Sequence, residues 1–242
     1  MRGKWLGALL AGLALLPTQA TAQNVFCGPD AGSVPQAKEY YSKTTLFVPL
    51  SREGRKILLI AGAVNADAGP RLASALSANP EVEEVWLNSP GGAVVGGLAM
   101  GRELRRRGLL VRVPSRFLCE SSCTLAFLGG AIRQVDPDGH YGIHMFSRFF
   151  DLNDAFAEFG DLVTKFSKLE KAKGRKVAVE QIQADLMANE QSTAMLAGQL
   201  ARYLVEMSAS LEFLTGMFGQ QQTGICYLTR DGLRRYNVVN SE

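Results

Sequence analysis

The chain has 242 residues, of which 47% are hydrophobic and 20% are charged, so it is long enough for one globular domain with a sizeable core. Its formal net charge is +3, and this falls to +1 without Arg2 and Lys4. A balance so close to neutral gives no support to a nucleic-acid-binding protein or to a strongly charged substrate.

The first 22 residues are typical of a secretory signal peptide. Arg2 and Lys4 precede an apolar run over residues 5–16, and Ala20 and Ala22 form an A-x-A cleavage site. The apolar run is short for a transmembrane span. We therefore expect cleavage after Ala22 and a periplasmic or secreted mature protein of about 220 residues.

After an N-terminal arm over residues 23–55, the hydrophobic pattern predicts strands and helices that alternate. In chain order they are strand 57–63, helix 67–78, strand 82–88, helix 93–107, strand 109–113, helix 121–129 and strands 132–136 and 141–145. Such alternation predicts an α/β domain with parallel strands joined by right-handed crossovers. We assign residues 56–242 to this domain.

A helical insert interrupts the alternation at about residues 149–208. Its apolar residues recur at helical spacing, at Leu152, Phe156, Phe159, Val163, Phe166 and Leu169. Basic residues around Gly174, in the segment 171–177, predict a break before a second long helix over about 178–208.

Three short motifs stand at the predicted strand ends. The first is a glycine loop, residues 88–92 (NSPGG), the second a serine turn, residues 119–123 (CESSC), and the third is Gly142, Ile143 and His144. Two glycines can turn backbone N–H groups toward a pocket, and a histidine is the usual base for an exposed hydroxyl. Together these motifs predict a serine hydrolase.

The ordered motifs resemble those of the Clp protease proteolytic subunit in the Clp/crotonase superfamily. That family has a strand ending in a Ser-Pro-Gly-Gly loop, a nucleophilic serine at a helix start and an Ile-His strand end. Residues 56–146 match this pattern well and residues 190–240 match it loosely. The resemblance implies a Clp/crotonase-like fold, with a repeated ββα spiral core and a long helical arm. Because such arms mediate self-assembly in the family, it also implies a homo-oligomer, although the apolar stripe of the insert could instead pack on its own sheet.

The resemblance also implies the roles of individual residues. Ser121 lies 29 positions after Gly92, as in the family, and is the expected nucleophile, with Ser122 as its rival. His144 is the expected general base. The backbone N–H groups of Gly92 and Ser122 are the expected oxyanion donors, and Gly91 supplies the turn. No metal or other cofactor is required.

The acid that should orient the histidine is missing from its usual place. The family has an aspartate between the arm and the closing strand, but residues 213–230 contain no Asp or Glu. Glu212 lies just outside this window, and an amide from Gln220, Gln221 or Gln222 is another candidate. A Ser–Lys pair, as in related membrane-associated proteases, would draw on Lys165, Lys168 or Lys171.

Four cysteines permit two disulfides in an exported protein. We favour Cys119 with Cys123, across the serine turn, and Cys27 with Cys226. The alternatives are buried free thiols and a zinc site, for which the same two turn cysteines and two histidines, His140 and His144, loosely imitate a ligand set. Extended backbone would separate the histidines by about 13 Å, too far to share one ion.

The sequence therefore predicts an exported, ATP-independent serine peptidase that acts on peptides or unfolded proteins. No nucleic acid and no ATPase partner are expected. The alternative is a catalytically weak or inactive relative that uses the same groove for peptide binding or assembly, a hypothesis favoured by the missing acid.

Overall fold

The computed structural model describes residues 26–28, 34–145, 152–220 and 224–241, with side chains from residue 157 onward in the segment that begins at 152. The predicted signal peptide and its cleavage site at Ala22 lie outside these residues. The described chain is a mixed α/β structure. Its strands are β1 (Leu46–Arg52), β2 (Arg55–Ala61), β3 (Glu84–Asn88), β4 (Leu110–Val113), β5 (Leu118–Glu120), β6 (Ile132–Val135), β7 (His140–Ile143) and β8 (Cys226–Tyr227). Its helices are α1 (Ala68–Ala78), α2 (Val94–Arg107), α3 (Ser122–Leu128), α4 (Leu152–Lys173), α5 (Arg175–Glu206), α6 (Glu212–Phe218) and α7 (Arg230–Arg235).

The larger sheet has five strands in the order β1-β2-β3-β4-β6. β1 and β2 form an antiparallel hairpin, and β2, β3, β4 and β6 are parallel, as the alternating pattern predicts. All five residues of β3 are buried, which is typical of a central parallel strand covered on both faces. The sequence did not predict β1, which makes the second half of the N-terminal arm part of this sheet.

A smaller sheet, β5-β7-β8, lies beside the ends of the larger one. A parallel bridge between Ser89 and Cys119 joins the glycine loop to β5, and a bridge between Val64 and Gly92 joins the same loop to the segment after β2. The chain segments that leave β2, β3, β5 and β7 therefore lie side by side. This arrangement brings together the three motifs that are far apart in sequence.

Close packing of α3 on α2 fixes the helix that follows the serine turn. All seven residues of α3 are buried, and α3 packs on α2. A Cβ added to Gly129 would lie 2.0 Å from the carbonyl oxygen of Gly101, and one added to Gly97 would lie 2.3 Å from that of Ser122. Only glycine lets the two helices approach this closely, so the position of α3 is tightly fixed.

The helical insert consists of α4 and α5, which pack on each other. Gly174 separates them with φ +86°, a conformation that favours glycine, and this lies within the predicted break. The last turns of α5 bury Leu200, Tyr203 and Leu204 in the core, whereas most of its earlier residues are exposed. Of the helices that the structure describes, none combines the length and the apolar character that a membrane span needs.

The C-terminal region contains a short strand and a short helix. The strand, β8, has only two residues, Cys226 and Tyr227, and the segment Arg230–Arg235 forms the helix α7. Thr229 caps this helix by accepting a hydrogen bond from the N–H of Gly232. The cap explains why a segment that contains a glycine still forms a helical turn.

Candidate active site

The glycine loop is held in shape by a buried serine. The hydroxyl of Ser89 donates a hydrogen bond to the carbonyl oxygen of Gly62 at 2.6 Å and accepts one from the N–H of Gly91 at 3.1 Å. Ser89 is 1% exposed. The side chain therefore ties the loop to the exit of β2 and fixes the direction of the following peptide groups.

The N–H of Gly92 is available to a ligand. In the bridge beside it, Val64 donates its N–H to the carbonyl of Gly91 at 2.8 Å, and Ala93 donates its N–H to the carbonyl of Val64 at 2.7 Å. Both bonds use the neighbours of Gly92, and its own N–H finds no acceptor among the described residues. An oriented backbone donor of this kind suits a developing oxyanion.

The serine turn joins β5 to α3 through a strained residue. Ser121 has φ 53° and ψ −126°, a conformation that costs a non-glycine residue on the order of 1–3 kcal/mol. Its N–H donates to the carbonyl of Gly142 at 3.0 Å, and its carbonyl accepts from the N–H of Thr124 at 3.0 Å and from the Thr124 hydroxyl at 2.5 Å. Such a sharp strand-to-helix turn presents a serine side chain away from both elements.

The two serines of the turn have different environments. Ser122 is 2% exposed and its hydroxyl has no hydrogen-bond partner among the described residues, whereas Ser121 is partly exposed. Because Ser122 is the first residue of α3, its N–H has no acceptor within the helix. Accessibility therefore favours Ser121 as the nucleophile, and Ser122 offers a backbone donor beside it.

Ser121 and His144 line the same small pocket. His144 follows the last residue of β7 and is partly exposed. The other residues that line the pocket are mostly apolar: Val94, Ser122, Thr124, Leu125, Ile143, Leu200 and Met217. The fold thus brings the expected nucleophile and the expected base to one pocket. The glycine loop lies against the same turn, since a Cβ added to Gly91 would lie 2.6 Å from the Cβ of Ser121.

The histidine has no orienting acid among the described residues. Its Nδ1 is buried and lacks a hydrogen-bond partner there. Glu212 instead forms an ion pair with Arg235, with contacts of 2.7 and 2.9 Å, and the amide of Gln220 donates to the carbonyl of Gly216. Gln221 and Gln222 lie outside the described residues. The first two sequence candidates are therefore engaged elsewhere.

The lysines of the insert do not reach the pocket. Lys165 forms an ion pair with Asp185 of α5, and Lys168 and Lys171 are exposed on α4. None of the three lines the pocket of Ser121. The described geometry therefore gives no support to a Ser–Lys pair.

Both favoured disulfides are present. Cys119 is bonded to Cys123 and Cys27 is bonded to Cys226. Because the two turn cysteines are bonded to each other, they cannot act as thiolate ligands of zinc. The part of the chain that is described also contains no cluster of three or more metal-ligating side chains.

A buried carboxylate beside the turn, bound by two tyrosine hydroxyls, was not predicted from the sequence. Glu120 is 5% exposed and accepts hydrogen bonds from the hydroxyls of Tyr40 and Tyr227. Burial, reinforced by the carboxylate, raises the pKa of Tyr40 well above its usual range. Burial also lowers the pKa of His140, whose ring packs edge-on against Tyr227. In the sequence, the sign of this buried carboxylate is an acidic residue, Glu120, at the junction between a buried strand and an apolar helix.

Replacing Gly91 by alanine should disrupt both the glycine loop and the serine turn. Gly91 has φ +85°, and an added Cβ would lie 2.5 Å from the carbonyl oxygen of Glu120 and 2.6 Å from the Cβ of Ser121. We expect Gly91→Ala to destabilise the protein by about 2 kcal/mol more than a positive-φ glycine in open space, because backbone atoms must shift. The reactivity of Ser121 with a fluorophosphonate should fall at least about tenfold, because the turn moves with the loop.

Gly108 is the matched control. It has φ +67° at the end of α2, and an added Cβ would meet nothing within 4 Å. Gly108→Ala should carry only the conformational cost, about 1–2 kcal/mol. Equal urea midpoints and equal reactivity for the two variants would show that the glycine loop does not press on the serine turn.

Comparison with known proteins gives a similarity to solved structures. No family model matches the chain, and no curated protein matches its sequence. Among solved structures, it is similar to a mutant ClpP1 from Listeria monocytogenes, with 14% sequence identity and a TM-score of 0.43, over 76% of this chain and 88% of that one.

Proposed function

We propose that this chain is a serine hydrolase that cleaves peptides, with Ser121 as nucleophile and His144 as general base. The observation that carries this proposal is the strained Ser121, which lines one small pocket together with His144. Strain at a non-glycine residue persists only where the surrounding structure maintains it, and it is concentrated at functional sites.

In the acylation step, the hydroxyl oxygen of Ser121 attacks the substrate carbonyl carbon while the imidazole of His144 takes the hydroxyl proton. The carbonyl oxygen becomes an oxyanion that accepts hydrogen bonds from the N–H groups of Gly92 and Ser122. Donors of this type contribute about 3–4 kcal/mol each in other hydrolases. The imidazolium then returns its proton to the leaving amine, and the acyl group remains on the serine.

In the second step, water attacks the acyl carbon and His144 takes one of its protons. The oxyanion forms again between the same two N–H groups. Its collapse breaks the bond to the Ser121 oxygen, which receives the proton from His144 as the acid is released. No step needs a metal or another cofactor.

The apolar lining of the pocket supports a substrate with an apolar group next to the scissile bond. Its aliphatic lining comes from Val94, Leu125, Ile143, Leu200 and Met217. The motif resemblance to Clp proteases supports peptides or unfolded proteins as the substrate class. It also supports a fold with a repeated ββα spiral core and a long helical arm. We further propose a homo-oligomer that works without an ATPase partner and without nucleic acid.

We propose a periplasmic or secreted location for the mature protein. Two disulfides, Cys27–Cys226 and Cys119–Cys123, are typical of an oxidising compartment. The signal-peptide pattern that ends at Ala22 supports the same location.

The second candidate function is peptide binding without efficient catalysis. It is favoured by the buried Nδ1 of His144, which has no partner among the described residues. Without a group that fixes the imidazole tautomer, catalysis falls by up to about 10⁴-fold in hydrolases of this type.

Intact-mass analysis after treatment with a fluorophosphonate tests the proposal. Oxidised wild-type protein should gain one adduct, and Ser121→Ala should gain none. His144→Ala should label about 10²- to 10⁴-fold more slowly, because the general base is lost. Ser122→Ala should keep labelling, because its role is carried by the backbone N–H.

Two results would contradict this assignment. Loss of the adduct in Ser122→Ala but not in Ser121→Ala would move the nucleophile by one residue. A folded wild-type protein that gains no adduct, and binds unfolded polypeptide equally well with and without Ser121→Ala, would establish the binding function instead.

A further inference from the structure

Glu120 is a buried carboxylate with no role in the chemistry proposed above. It is the last residue of β5, directly before Ser121, and does not line the pocket. Its Oε2 accepts a hydrogen bond from the Tyr40 hydroxyl at 2.7 Å, and its Oε1 accepts one from the Tyr227 hydroxyl. Both oxygens are therefore held by directional bonds.

The two tyrosines come from opposite parts of the chain. Tyr40 belongs to the segment before β1, and Tyr227 belongs to β8, next to a disulfide-bonded cysteine. Together with Leu118, they form a small buried cluster that is separate from the main core. Glu120, the residue directly before Ser121, thus connects the serine turn to one segment near each end of the described chain.

The backbone of Glu120 also contacts the other half of the site. Its N–H donates to the carbonyl of Ser89 at 3.0 Å, and its own carbonyl faces Gly91, where an added Cβ would lie 2.5 Å away. A rotation of Glu120 would therefore move the peptide group that leads into Ser121 and the loop that carries Gly92.

The buried carboxylate of Glu120 points to a geometric role rather than to a gain in stability. Burial of a carboxylate is unfavourable, and for Glu120 the described residues provide two hydroxyl donors and no cationic partner. Hydrogen bonds to a charged acceptor are short, strong and directional. An apolar side chain would fill the space but would not fix a rotation.

We propose that Glu120 is a positioning residue for Ser121: held by Tyr40 and Tyr227, it keeps the serine turn in its strained, reactive conformation. This inference rests on the proposed hydrolase function for its effect on reactivity. Its effect on the backbone of residues 119–123 does not depend on that function.

The test compares Glu120→Ala, Glu120→Gln and Glu84→Gln. Glu84 is the control for a buried glutamate away from the site, because it is 2% exposed and accepts a hydrogen bond from the indole N–H of Trp86 at 2.7 Å, but lies at the far end of β3. Unlike Glu120, it also pairs with Arg55 and Arg112. For each variant, the maximal rate and the half-saturating concentration of fluorophosphonate labelling are measured per folded molecule. Hydrogen exchange of a peptide that covers residues 118–124 is measured in parallel.

We expect Glu120→Ala to lower the maximal labelling rate by about 10- to 100-fold with an unchanged half-saturating concentration, because the nucleophile is displaced and the pocket is not. Glu120→Gln should recover most of the rate, since an amide can still bond both hydroxyls. Glu84→Gln should react at the wild-type rate. Exchange at residues 118–124 should rise in Glu120→Ala alone.

Wild-type reactivity and wild-type exchange in folded Glu120→Ala would overturn the inference. If wild-type protein does not label, the hydrolase proposal fails, and unchanged exchange at residues 118–124 would separately overturn the positioning role. Should the alanine variant not fold, Tyr40→Phe and Tyr227→Phe each remove one bond. Each should then lower the maximal rate several-fold, and wild-type rates in both would equally overturn the inference.

Discussion

Loss of the Cys27–Cys226 disulfide should cost stability, and loss of Cys119–Cys123 should mainly cost reactivity. The first closes a loop with a sequence separation of 199, which corresponds to about 5 kcal/mol of unfolded-state entropy, and the second closes one of 4, which corresponds to about 2 kcal/mol. The second disulfide, however, spans the strained Ser121. We expect Cys119→Ala/Cys123→Ala to slow labelling of Ser121 at least about tenfold.

The two double variants are each other's controls. Urea unfolding under oxidising conditions gives the change in the free energy of unfolding, and fluorophosphonate labelling of the folded fraction gives the reactivity. The folded fraction of Cys27→Ala/Cys226→Ala should label at close to the wild-type rate. If Cys119→Ala/Cys123→Ala also labels at that rate, the short disulfide does not maintain the serine turn.

Replacing Arg133 by alanine should be among the most destabilising single changes in the chain. Arg133 is 1% exposed, and burial lowers the pKa of its guanidinium. It donates hydrogen bonds to the carbonyls of Leu128 at 3.1 Å, Met207 at 2.7 Å and Asn237 at 3.0 Å, and so joins the ends of α3 and α5 to the segment after α7. We expect a loss of about 3–5 kcal/mol, because the missing side chain leaves a cavity and three hydrogen bonds from a charged donor are lost.

Arg235→Ala is the matched control for this change. Arg235 forms an ion pair with Glu212 in which both side chains are more than half exposed. Its loss should cost less than about 1 kcal/mol. Similar urea midpoints for the two arginine variants would mean that the buried guanidinium does not hold these three segments together.

The sequence was most informative where hydrophobic spacing and glycine positions predict the same element boundary. The predicted helix 93–107 corresponds to α2, Val94–Arg107, because its apolar residues share one face and Gly108 ends it in the left-handed conformation. The glycine loop was recognisable for a similar reason, since Gly91 and Gly92 both have positive φ. Glycine and periodicity are local signals that survive without knowledge of the fold.

Long-range contacts could not be predicted in the same way. β5 has only three residues and is held by pairing with β7, so it has no periodic signal of its own. The hydroxyls that bind Glu120 come from positions 80 residues before it and 107 residues after it. The same limit applies to the orienting acid: Glu212 is a candidate by its place in the sequence, but its carboxylate is paired with Arg235.

The nesting of the two disulfides has a consequence for how the chain matures. Cys27 and its partner are separated by 199 residues, and both cysteines of the serine turn lie between them. Closing the short loop between Cys119 and Cys123 has the smaller entropic cost, so this bond should form first and remove the two thiols that could trap Cys27 in a wrong pair. Early oxidation of the serine turn would thus act as a safeguard for the order of folding, and a chain without it should accumulate misbridged species that need an isomerase to resolve.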